Sequence, residues 1–434
     1  MIPKVLENLK IASLNEMQHA AIKAMRKGGD LLLLSPTGSG KTLGFLLPVL
    51  NLLDEKKQGV QALILSPSRE LALQIEQVFR SMGTGFKVNC CYGGHELKIE
   101  RNNLEHPPVL LIGTPGRIAA HIRRGSFEPD SISMLVLDEF DKALEFGFQE
   151  DMSFIIHQLK KLNMRILTSA TKALEIPSFT GISSPTELNF LSDRLPEGLK
   201  LKCVIADGKD KLAALFGLIC ELDNKPSLVF CNHRDAVERI SDLLHDKGLT
   251  HAVFHGGLEQ EDRERALIQF RNGSHRMLIT TDLASRGLDI PEIEYVIHYQ
   301  LPPTENAFVH RNGRTARMKA EGTSFLVLAQ EEQQPAYLKE APEQITLTKN
   351  KTIPKNSDWA TLYIAAGKKD KINKIDIVGL LLQKGKLEKQ ELGLIEVLDH
   401  SSYAAVKRDK IDLVVQLIKG EKIKKKSVKI AVAK

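Results

Sequence analysis

A short apolar run followed by a loop of small residues constrains this chain more than any other stretch. Four leucines, Leu31–Leu34, run into the sequence Ser35-Pro-Thr-Gly-Ser-Gly-Lys41-Thr42. Four apolar residues in a row are typical of a strand that is buried on both faces, as in a parallel sheet. Lys41 and Thr42 open a helical stretch, Leu43 to Leu53. The sequence therefore predicts a strand, a tight loop and a helix whose N-terminal dipole faces the loop.

This arrangement is typical of a phosphate-binding loop, whose backbone N–H groups surround an anion. Lys41 would reach the β- and γ-phosphates of a nucleotide, and the Thr42 hydroxyl would bind Mg²⁺. The first glycine of the general pattern is Ser35 here, so the match is one residue short. A glycine-rich turn that closes a strand without any nucleotide is the alternative. The residues expected to contact the nucleotide are Ser35, Thr37, Gly38, Ser39, Gly40, Lys41 and Thr42.

Length and composition are those of a globular protein with more than one domain. The chain has 434 residues, of which 42% are apolar and 26% are charged, enough for two or three domains. No apolar run approaches the roughly 20 residues of a membrane span, and the N-terminus lacks a signal-peptide core. The five cysteines have neither metal-ligand nor disulfide spacing and fit buried thiols of a reducing cytosol. We therefore expect a cytoplasmic protein that does not bind a membrane.

The positive charge of the chain is concentrated in its last fifth. Residues 356–434 hold 17 Lys/Arg and 10 Asp/Glu, whereas the preceding residues have a net charge of −1. Such a surplus is typical of a module that binds a polyanion. A solvated charged face is the alternative.

Apolar strands alternate with amphipathic helical stretches up to about residue 330, which predicts parallel sheets covered by helices on both faces. The first series of strands is expected at Leu31–Ser35, Ala62–Pro67, Val88–Tyr92, Val109–Thr114, Met134–Asp138 and Arg165–Thr168. The second series is expected at Leu228–Cys231, His251–His255, Met277–Thr280, Tyr295–Gln300 and Thr323–Leu328. Residues 181–198 are interpreted as the crossing between two such domains, and residues 330–355 as a polar passage before the basic tail.

Polar side chains follow these strands at their C-terminal ends, where open parallel sheets bind ligands. Asp138 can hold Mg²⁺ through water, and Glu139 can orient or deprotonate an attacking water, although helix capping is the alternative for two such acids. In the second series, Arg314 and Arg317 are spaced i, i+3 and would share a helix face. They suit arginine fingers on a γ-phosphate. Because both predicted sheets carry polar residues at their C-terminal strand ends, the two domains are expected to share one cleft.

These motifs together resemble the DEAD-box family of ATP-dependent RNA helicases, in the family's order and spacing, from about residue 10 to about residue 330. The resemblance implies two RecA-like domains in tandem that hydrolyse ATP with Mg²⁺ when RNA is bound. Gln18 is similar to the adenine-reading glutamine of the family, and Asp289 stands in the ribose-contacting place. Ser35–Thr42 is similar to the phosphate loop, whose first position in this family is Ala or Ser.

The resemblance also implies roles for residues outside the phosphate loop. Coupling of hydrolysis to domain closure is expected of Asp141, Ser169, Thr171 and His310. Contacts with RNA are expected of Pro67, Arg69, Gly94, Thr114, Arg117, Arg263, Thr281 and Arg286. The departures from the family pattern are Phe140 for Ala, Ala316 for Gly, and Leu14-Asn15 for the Pro-Thr that normally precedes the glutamine. The aromatic residue that stacks on adenine would fall at or before Met1, which implies weaker adenine selectivity or further residues ahead of Met1.

The basic tail has the element order βαββαβ of an RRM-like α+β fold. Strands are expected at Thr361–Gly367, Leu394–Leu398, Tyr403–Lys407 and Ser427–Val432, and helices at Lys374–Lys384 and Asp409–Ile418. Tyr363 and Tyr403 could stack on bases, but packing within the sheet is the favoured interpretation. Lysines at loops are better placed to contact phosphates, with solubilising decoration as the alternative. These are Lys368, Lys369, Lys371, Lys424, Lys425 and Lys426.

The tail resembles the C-terminal RNA-binding domain of the bacterial DbpA subfamily, which implies 23S ribosomal RNA and pre-50S particles as partners. The expected organisation is residues 1–190 and 191–345 as two RecA-like domains and residues 356–434 as an RRM-like domain, without an obligate protein partner. The expected function is local unwinding of short RNA duplexes during assembly of the large ribosomal subunit. A non-enzymatic, ATP-gated RNA clamp is the rival, which the intact Glu139, Arg314 and Arg317 argue against. A DNA helicase is a weaker rival.

Overall fold

The computed structural model describes residues 1–36, 38–94, 97–171, 175–191, 198–284, 290, 293–315, 322–338, 341–348, 352–424 and 426–433. The chain divides into two compact units whose boundary falls at residues 195–196. Within the ranges given, no helix is long and apolar enough to cross a membrane.

The first unit is built around a parallel sheet. Its strands are β1 (Leu31–Leu34), β2 (Ala62–Leu65), β3 (Val88–Cys91), β4 (Leu110–Gly113), β5 (Met134–Leu137), β6 (Met164–Ser169) and β7 (Thr186–Asn189). Its helices are α1 (Ile2–Leu9), α2 (Glu16–Arg26), α3 (Lys41–Leu52), α4 (Arg69–Ser81), α5 (Leu97–Leu104), α6 (Pro115–Arg123), α7 (Phe140–Glu145) and α8 (Gln149–Gln158). Among the described residues the strand order is β3-β4-β2-β5-β6-β1-β7.

The four leucines of β1 show why this strand is apolar throughout. Leu31 and Leu33 join one apolar cluster, and Leu32 and Leu34 join a second cluster on the opposite face. Successive side chains of a strand point to opposite faces, so a strand covered by helices on both sides has no polar position. All four leucines are buried, as predicted from the run.

The second unit contains a similar parallel sheet. Its strands are β8 (Leu199–Ile205), β9 (Ser227–Phe230), β10 (Ala252–Phe254), β11 (Met277–Thr280), β12 (Tyr295–His298), β13 (Gly322–Leu328) and β14 (Glu343–Gln344). Its helices are α9 (Leu212–Glu221), α10 (Arg234–Asp246), α11 (Gln260–Arg271) and α12 (Glu305–Asn312). The described strands lie in the order β10-β11-β9-β12-β13-β8-β14. The predicted pair of parallel sheets is confirmed.

Three strands of these sheets lie where sequence reasoning expected none, namely β7, β8 and β14. The crossing at residues 181–198 contains β7, which pairs with β1. The passage at residues 330–355 contains β14, which pairs with β8, and Ile345 and Leu347 pack against the core of this unit. The second domain expected at residues 191–345 thus includes β14 and Ile345, and Leu347 packs on the same core from within the passage expected before the tail.

The tail forms a small antiparallel sheet within the second unit. Its elements are β15 (Trp359–Ile364), α13 (Lys374–Gly379), β16 (Leu392–Val397), β17 (Ser402–Lys407), α14 (Ile411–Leu417), β18 (Lys422–Ile423), β19 (Lys426–Ser427) and β20 (Ile430–Val432). A π-helical turn, Leu380–Lys384, continues α13. The order β16-β17-β15-β20 agrees with the predicted RRM-like fold, although the expected last strand is divided between β19 and β20.

The outer face of the tail sheet packs on the parallel-sheet part of the second unit. The core face carries Leu362 and Ala404, so Thr361 lies on the other face of β15. The Thr361 hydroxyl accepts a hydrogen bond from Asn272 Nδ2 at 2.9 Å and lies 2.5 Å from Ser274 Oγ. Glu396 of β16 forms an ion pair with Arg271 at 3.4 Å. The tail is therefore fixed to the end of α11 and the loop that follows it.

Candidate nucleotide and RNA site

The phosphate loop lies where β1 ends and α3 begins. Gly38 and Gly40 have φ angles of 82° and 85°, a left-handed conformation that glycine adopts without steric cost. Lys41 is buried, and its Nζ donates to the Ser35 carbonyl at 3.0 Å. The Ser35 and Ser39 hydroxyls are 2.8 Å apart. Lys41 thus spans the loop from inside, and its expected contact with the β- and γ-phosphates stays a prediction.

Gln18 supports the same loop from α2. Its Nε2 donates to the Gly40 carbonyl at 3.2 Å, and its Oε1 accepts from the Asn15 N–H at 3.0 Å. Asn15 caps α2 in return and donates from Nδ2 to the Ser39 carbonyl at 2.8 Å. The structure therefore brings Gln18 against the phosphate loop, although the adenine contact expected of it stays a prediction.

The two acids follow β5 directly and are both buried, Asp138 at 6% and Glu139 at 4% exposure. Burial raises the pKa of Asp138, while a hydrogen bond from Thr168 and the charge of Lys41 act in the opposite direction. Glu139 stands at the N-cap of α7, but its side chain makes no capping bond there within the described chain, which speaks against the capping alternative. A buried carboxylate facing a lysine, with the Thr42 hydroxyl on the neighbouring helix, is an oxygen donor set that suits Mg²⁺.

Arg314 of the second unit lies beyond the end of a helix. Helix α12 ends at Asn312, and Gly313 is its C-cap. Arg314 therefore lies in the turn that follows, at 1% exposure, and Thr315 forms a bridge with Ile293. Arg314 is therefore not part of α12, and the prediction that it shares a helix face with Arg317 stays a prediction. Thr37, Arg286, Asp289, Arg317 and Lys425 lie outside the described residues.

Four of the predicted RNA contacts of the first unit lie near one another. A Cβ on Gly94 would lie 2.2 Å from Arg69 Nη1, so the guanidinium lies directly on the glycine backbone. The Thr114 N–H donates to the Cys91 carbonyl at 3.1 Å, and Arg117 Nε lies 3.6 Å from Glu100 Oε2. Glu100 also accepts from the Tyr92 N–H at 2.9 Å. Sequence reasoning missed Glu100, which ties the glycine loop to the helix that carries Arg117.

Glu100, Cys91 and His121 are all buried, and their ligand atoms lie within 4.8 Å of one another. The His121 ring nitrogen Nε2 is 2.7 Å from Glu100 Oε2. Burial and the charge of Glu100 raise the pKa of the Cys91 thiol, which keeps it protonated. The carboxylate is engaged with His121, Tyr92 and Arg117, so we interpret this group as a structural hydrogen-bond network rather than a metal centre.

In the second unit Arg311 joins three of the loops at the ends of the strands. Its guanidinium donates to both carboxylate oxygens of Asp282 at 2.6 and 3.0 Å, to Asn232 Oδ1 at 2.8 Å and to the Gln300 carbonyl at 2.8 Å. Thr281 adjoins Asp282, and Arg263 lies on α11. Sequence reasoning missed Asn232 and Arg311 as structural links between these loops.

The tail lysines fall into two groups. Lys424 Nζ lies 2.8 Å from Asp376, and Lys426 Nζ lies 2.9 Å from Asp370. The hydrogen bonds from these lysines hold the pKa of both carboxyls below its usual range, and backbone N–H groups and the lysine charges add smaller effects in the same direction. The loop at residues 368–371 exposes the other group, Lys368, Lys369 and Lys371. The positive charge available to a ligand is thus greater at the exposed loop.

A tandem of two parallel α/β sheets, with a phosphate loop and two buried acids on the first, defines a nucleotide hydrolase of the RecA-like class. The DEAD/DEAH box helicase family matches residues 15–177, the Helicase conserved C-terminal domain matches residues 210–319, and the DbpA RNA binding domain matches residues 361–432. The chain belongs to the DEAD-box family of ATP-dependent RNA helicases and carries a DbpA-type RNA-binding domain.

Relatives and solved structures agree with this assignment. ATP-dependent RNA helicase DbpA of Bacillus subtilis (strain 168) is 30% identical over 99% of this chain and 96% of the relative. The Escherichia coli (strain K12) protein of the same name is 33% identical with the same coverage. S. cerevisiae Dbp5 bound to RNA and ADP BeF3 is similar in structure, with a TM-score of 0.68 at 25% identity over 76% of this chain and 88% of that one.

Proposed function

We propose that this helicase locally unwinds short RNA duplexes on 23S ribosomal RNA during assembly of the large ribosomal subunit. The single observation that carries the RNA target is the DbpA RNA binding domain at residues 361–432, since the resemblance to that subfamily implies this RNA. The charge surplus of residues 356–434 and the exposed Lys368, Lys369 and Lys371 support it. The outer sheet face is a poor candidate for base stacking, because Tyr403 is only 5% exposed and adjoins Arg265 and Glu264.

For hydrolysis we propose that Lys41 binds the β- and γ-phosphates, that Thr42 and Asp138 hold Mg²⁺, and that Glu139 orients the attacking water. When bound, Mg²⁺ would neutralise charge on the phosphate oxygens. Phosphoryl transfer depends mainly on positioning and charge neutralisation. The buried lysine would neutralise charge on the phosphates, and the two carboxylates would position Mg²⁺ and the attacking water. Arg314 and Arg317 would add positive charge for the transition state.

Two substitutions test these roles. Lys41→Ala should abolish RNA-stimulated ATP turnover, because the phosphates lose their only lysine within the loop sequence. Glu139→Gln should keep ATP and RNA binding but lower kcat by about 10²-fold or more, because the amide cannot accept a proton from water. Turnover is measured by phosphate release, and binding by fluorescence anisotropy of labelled RNA. Robust turnover in either variant would contradict the assignment.

The RNA target is tested with the full chain and a chain that ends at Asn350. Ribosomal RNA should stimulate ATP turnover of the full chain more strongly than unrelated RNA, whereas the shortened chain should respond equally to both. A triple variant, Lys368→Glu, Lys369→Glu and Lys371→Glu, should behave like the shortened chain. The same change at Lys386, Lys389 and Lys419, which are exposed on the same domain, is the control for net charge. Equal responses of the full chain to both RNAs would refute the target.

A strand-displacement assay with a short RNA duplex distinguishes unwinding from the clamp hypothesis. Displacement that depends on ATP is expected of the full chain. ATP-dependent retention of RNA without displacement would favour the clamp.

A further inference from the structure

We propose that Thr168 is a positioning residue of the hydrolytic site, because its buried hydroxyl fixes both the Asp138 carboxylate and the backbone of Glu139. This inference rests on the proposed roles of Asp138 and Glu139. Thr168 was expected only as the last residue of a strand, and it precedes the coupling residue Ser169.

The register of the sheet places Thr168 at the site. Leu137 of β5 pairs with Leu167 of β6, so the next residues, Asp138 and Thr168, lie side by side at the strand ends. On its other side Thr168 pairs with Leu33 of β1, two residues before the phosphate loop begins. Its side chain has 0% exposure. Thr168 therefore stands between the strand that leads into the phosphate loop and the strand that carries the two acids.

The direction of its two hydrogen bonds follows from the groups involved. The Glu139 N–H can only donate, and its nitrogen lies 3.1 Å from Thr168 Oγ1. An ionised carboxylate can only accept, so the hydroxyl proton points to Asp138 Oδ1, at 2.7 Å. One hydroxyl thus satisfies a backbone donor and restricts rotation of the carboxylate, which in turn defines the position of Oδ2.

The bond to Glu139 acts at a strained point of the backbone. Glu139 has φ 45° and ψ 52°, a left-handed conformation that residues with a Cβ rarely adopt. The turn converts β5 into α7 and sets the direction in which the Glu139 side chain leaves the chain. A hydrogen bond to its N–H holds this conformation in place. Valine would fill the same buried volume without a polar group to desolvate, so the hydroxyl is best explained by these two bonds.

The test is a graded series at Thr168 in the full chain. Thr168→Ser keeps the hydroxyl, Thr168→Cys weakens the donor, and Thr168→Val removes it. Two quantities are measured: kcat of RNA-stimulated ATP turnover, and the Mg²⁺ concentration that half-saturates binding of fluorescent ADP, which needs no turnover. Thr168→Val should raise that Mg²⁺ concentration by about 10-fold, as expected when a residue that orients a metal ligand is lost, and should lower kcat by a similar factor. Serine should restore both to within about threefold, and cysteine should fall between serine and valine.

Thr180→Val is the matched control for loss of a buried hydroxyl. Thr180 also has 0% exposure, and its hydroxyl donates to the Pro177 carbonyl at 2.9 Å and accepts from the Ile182 N–H at 3.3 Å. This variant should lower the melting temperature but keep the wild-type kcat and Mg²⁺ dependence. A Thr168→Val variant with wild-type Mg²⁺ dependence would overturn the proposal, and if valine prevents folding, the same result for Thr168→Cys would do so.

Asp138→Asn and Glu139→Gln are measured alongside. If these variants keep wild-type turnover, the proposed roles of the acids fail. If they are impaired while Thr168→Val is normal, only the positioning role of Thr168 fails.

Discussion

His298 is a histidine enclosed by the core of the second unit. It has 0% exposure, its ring lies 4.9 Å from that of Phe308, and its Nε2 is 3.2 Å from Asn312 Oδ1. Burial, aided by the charge of Arg311, lowers its pKa to about 3. A histidine in the unfolded chain has a pKa of about 6.5. Between that pH and the lower pKa of the folded chain, the unfolded chain binds a proton on His298 and the folded chain does not. The free energy of unfolding therefore decreases as the pH falls from about 6.5 towards 3, because protonation stabilises only the unfolded chain.

Replacement of this histidine should flatten the dependence of stability on pH. Between pH 7 and pH 5 the free energy of unfolding of the wild type should fall by about 2 kcal/mol more than that of His298→Asn. Urea unfolding of the second unit at several pH values measures the difference. Between pH 7 and pH 8, where this histidine is neutral in both states, the difference between the proteins should stay nearly constant. A steeper loss of stability in the variant would contradict the assignment.

Individual site residues could be predicted wherever their role depends on neighbours in sequence. Ser35, Lys41 and Thr42 form a local loop, and Asp138 and Glu139 follow one apolar run, so spacing was enough to propose them as site residues. Thr168 could not be found in this way, because its partners are 29 and 30 residues away. They meet only through the register of two parallel strands, which no periodicity in the sequence reveals.

At the scale of elements, the polar passage after β13 belongs to the second unit. Its strand β14 extends the sheet beside β8, and the Thr348 N–H donates to Glu221. Ile345 and Leu347 alternate with exposed neighbours and turn towards the core. Strand pairing and burial of two side chains thus make this segment part of the fold.

Removal of these two side chains should destabilise the second unit. The double variant Ile345→Ala and Leu347→Ala should lower its free energy of unfolding by about 2–4 kcal/mol, because two half-buried aliphatic side chains lose part of their transfer energy. Thr346→Ala, at the exposed position between them, is the control and should change it by about 0.5 kcal/mol or less. Urea unfolding measures both, and an unchanged midpoint in the double variant would show that the segment is dispensable.

Strands were predictable where the sequence has a continuous apolar run, and three strands without such a run were missed, among them the seven-residue β8 (Leu199–Ile205), in which lysines alternate with apolar residues. The expected strand at Met277–Thr280 has its predicted ends, and most others differ by one or two residues. Thr186–Asn189 and Glu343–Gln344 lie at sheet edges, where one side needs no apolar partner, so they carry no apolar run. The i, i+3 spacing of Arg314 and Arg317 gave no helix end, and α12 ends at Asn312, before Arg314.

At the scale of the molecule, Arg408 fastens the tail to the parallel-sheet part of the second unit. Its guanidinium donates to the Ser357 carbonyl at 2.5 Å, to the Trp359 carbonyl at 2.7 Å and to the Ser274 carbonyl at 3.3 Å. The first two acceptors belong to the tail and the third to the loop after α11. One planar side chain therefore satisfies carbonyls on both sides of the contact.

Loss of this arginine should separate the unfolding of the tail from that of the rest of the unit. Arg408→Ala should destabilise the contact by about 1–3 kcal/mol, because buried carbonyls lose their donors. Scanning calorimetry should then resolve an earlier transition for the tail. Lys407→Ala is the control, since Lys407 contacts Trp359 and Asp358 within the tail. A single unchanged transition in Arg408→Ala would show that the arginine does not join the two parts.

The tail cannot be transferred to another protein with its orientation intact unless the residues that hold it are transferred too. Its attachment needs the Asn272 amide, the Ser274 hydroxyl and carbonyl, and the Gly273 carbonyl that accepts from Ser357 Oγ at 2.5 Å. A chimera that grafts residues 356–434 onto another helicase core would inherit RNA affinity without the orientation. Transplanting residues 271–275 and residues 248–250, which hydrogen-bond Asn356, together with the tail should carry the orientation across. A functional transfer of the tail therefore has to include the residues of the second unit that hold it in place.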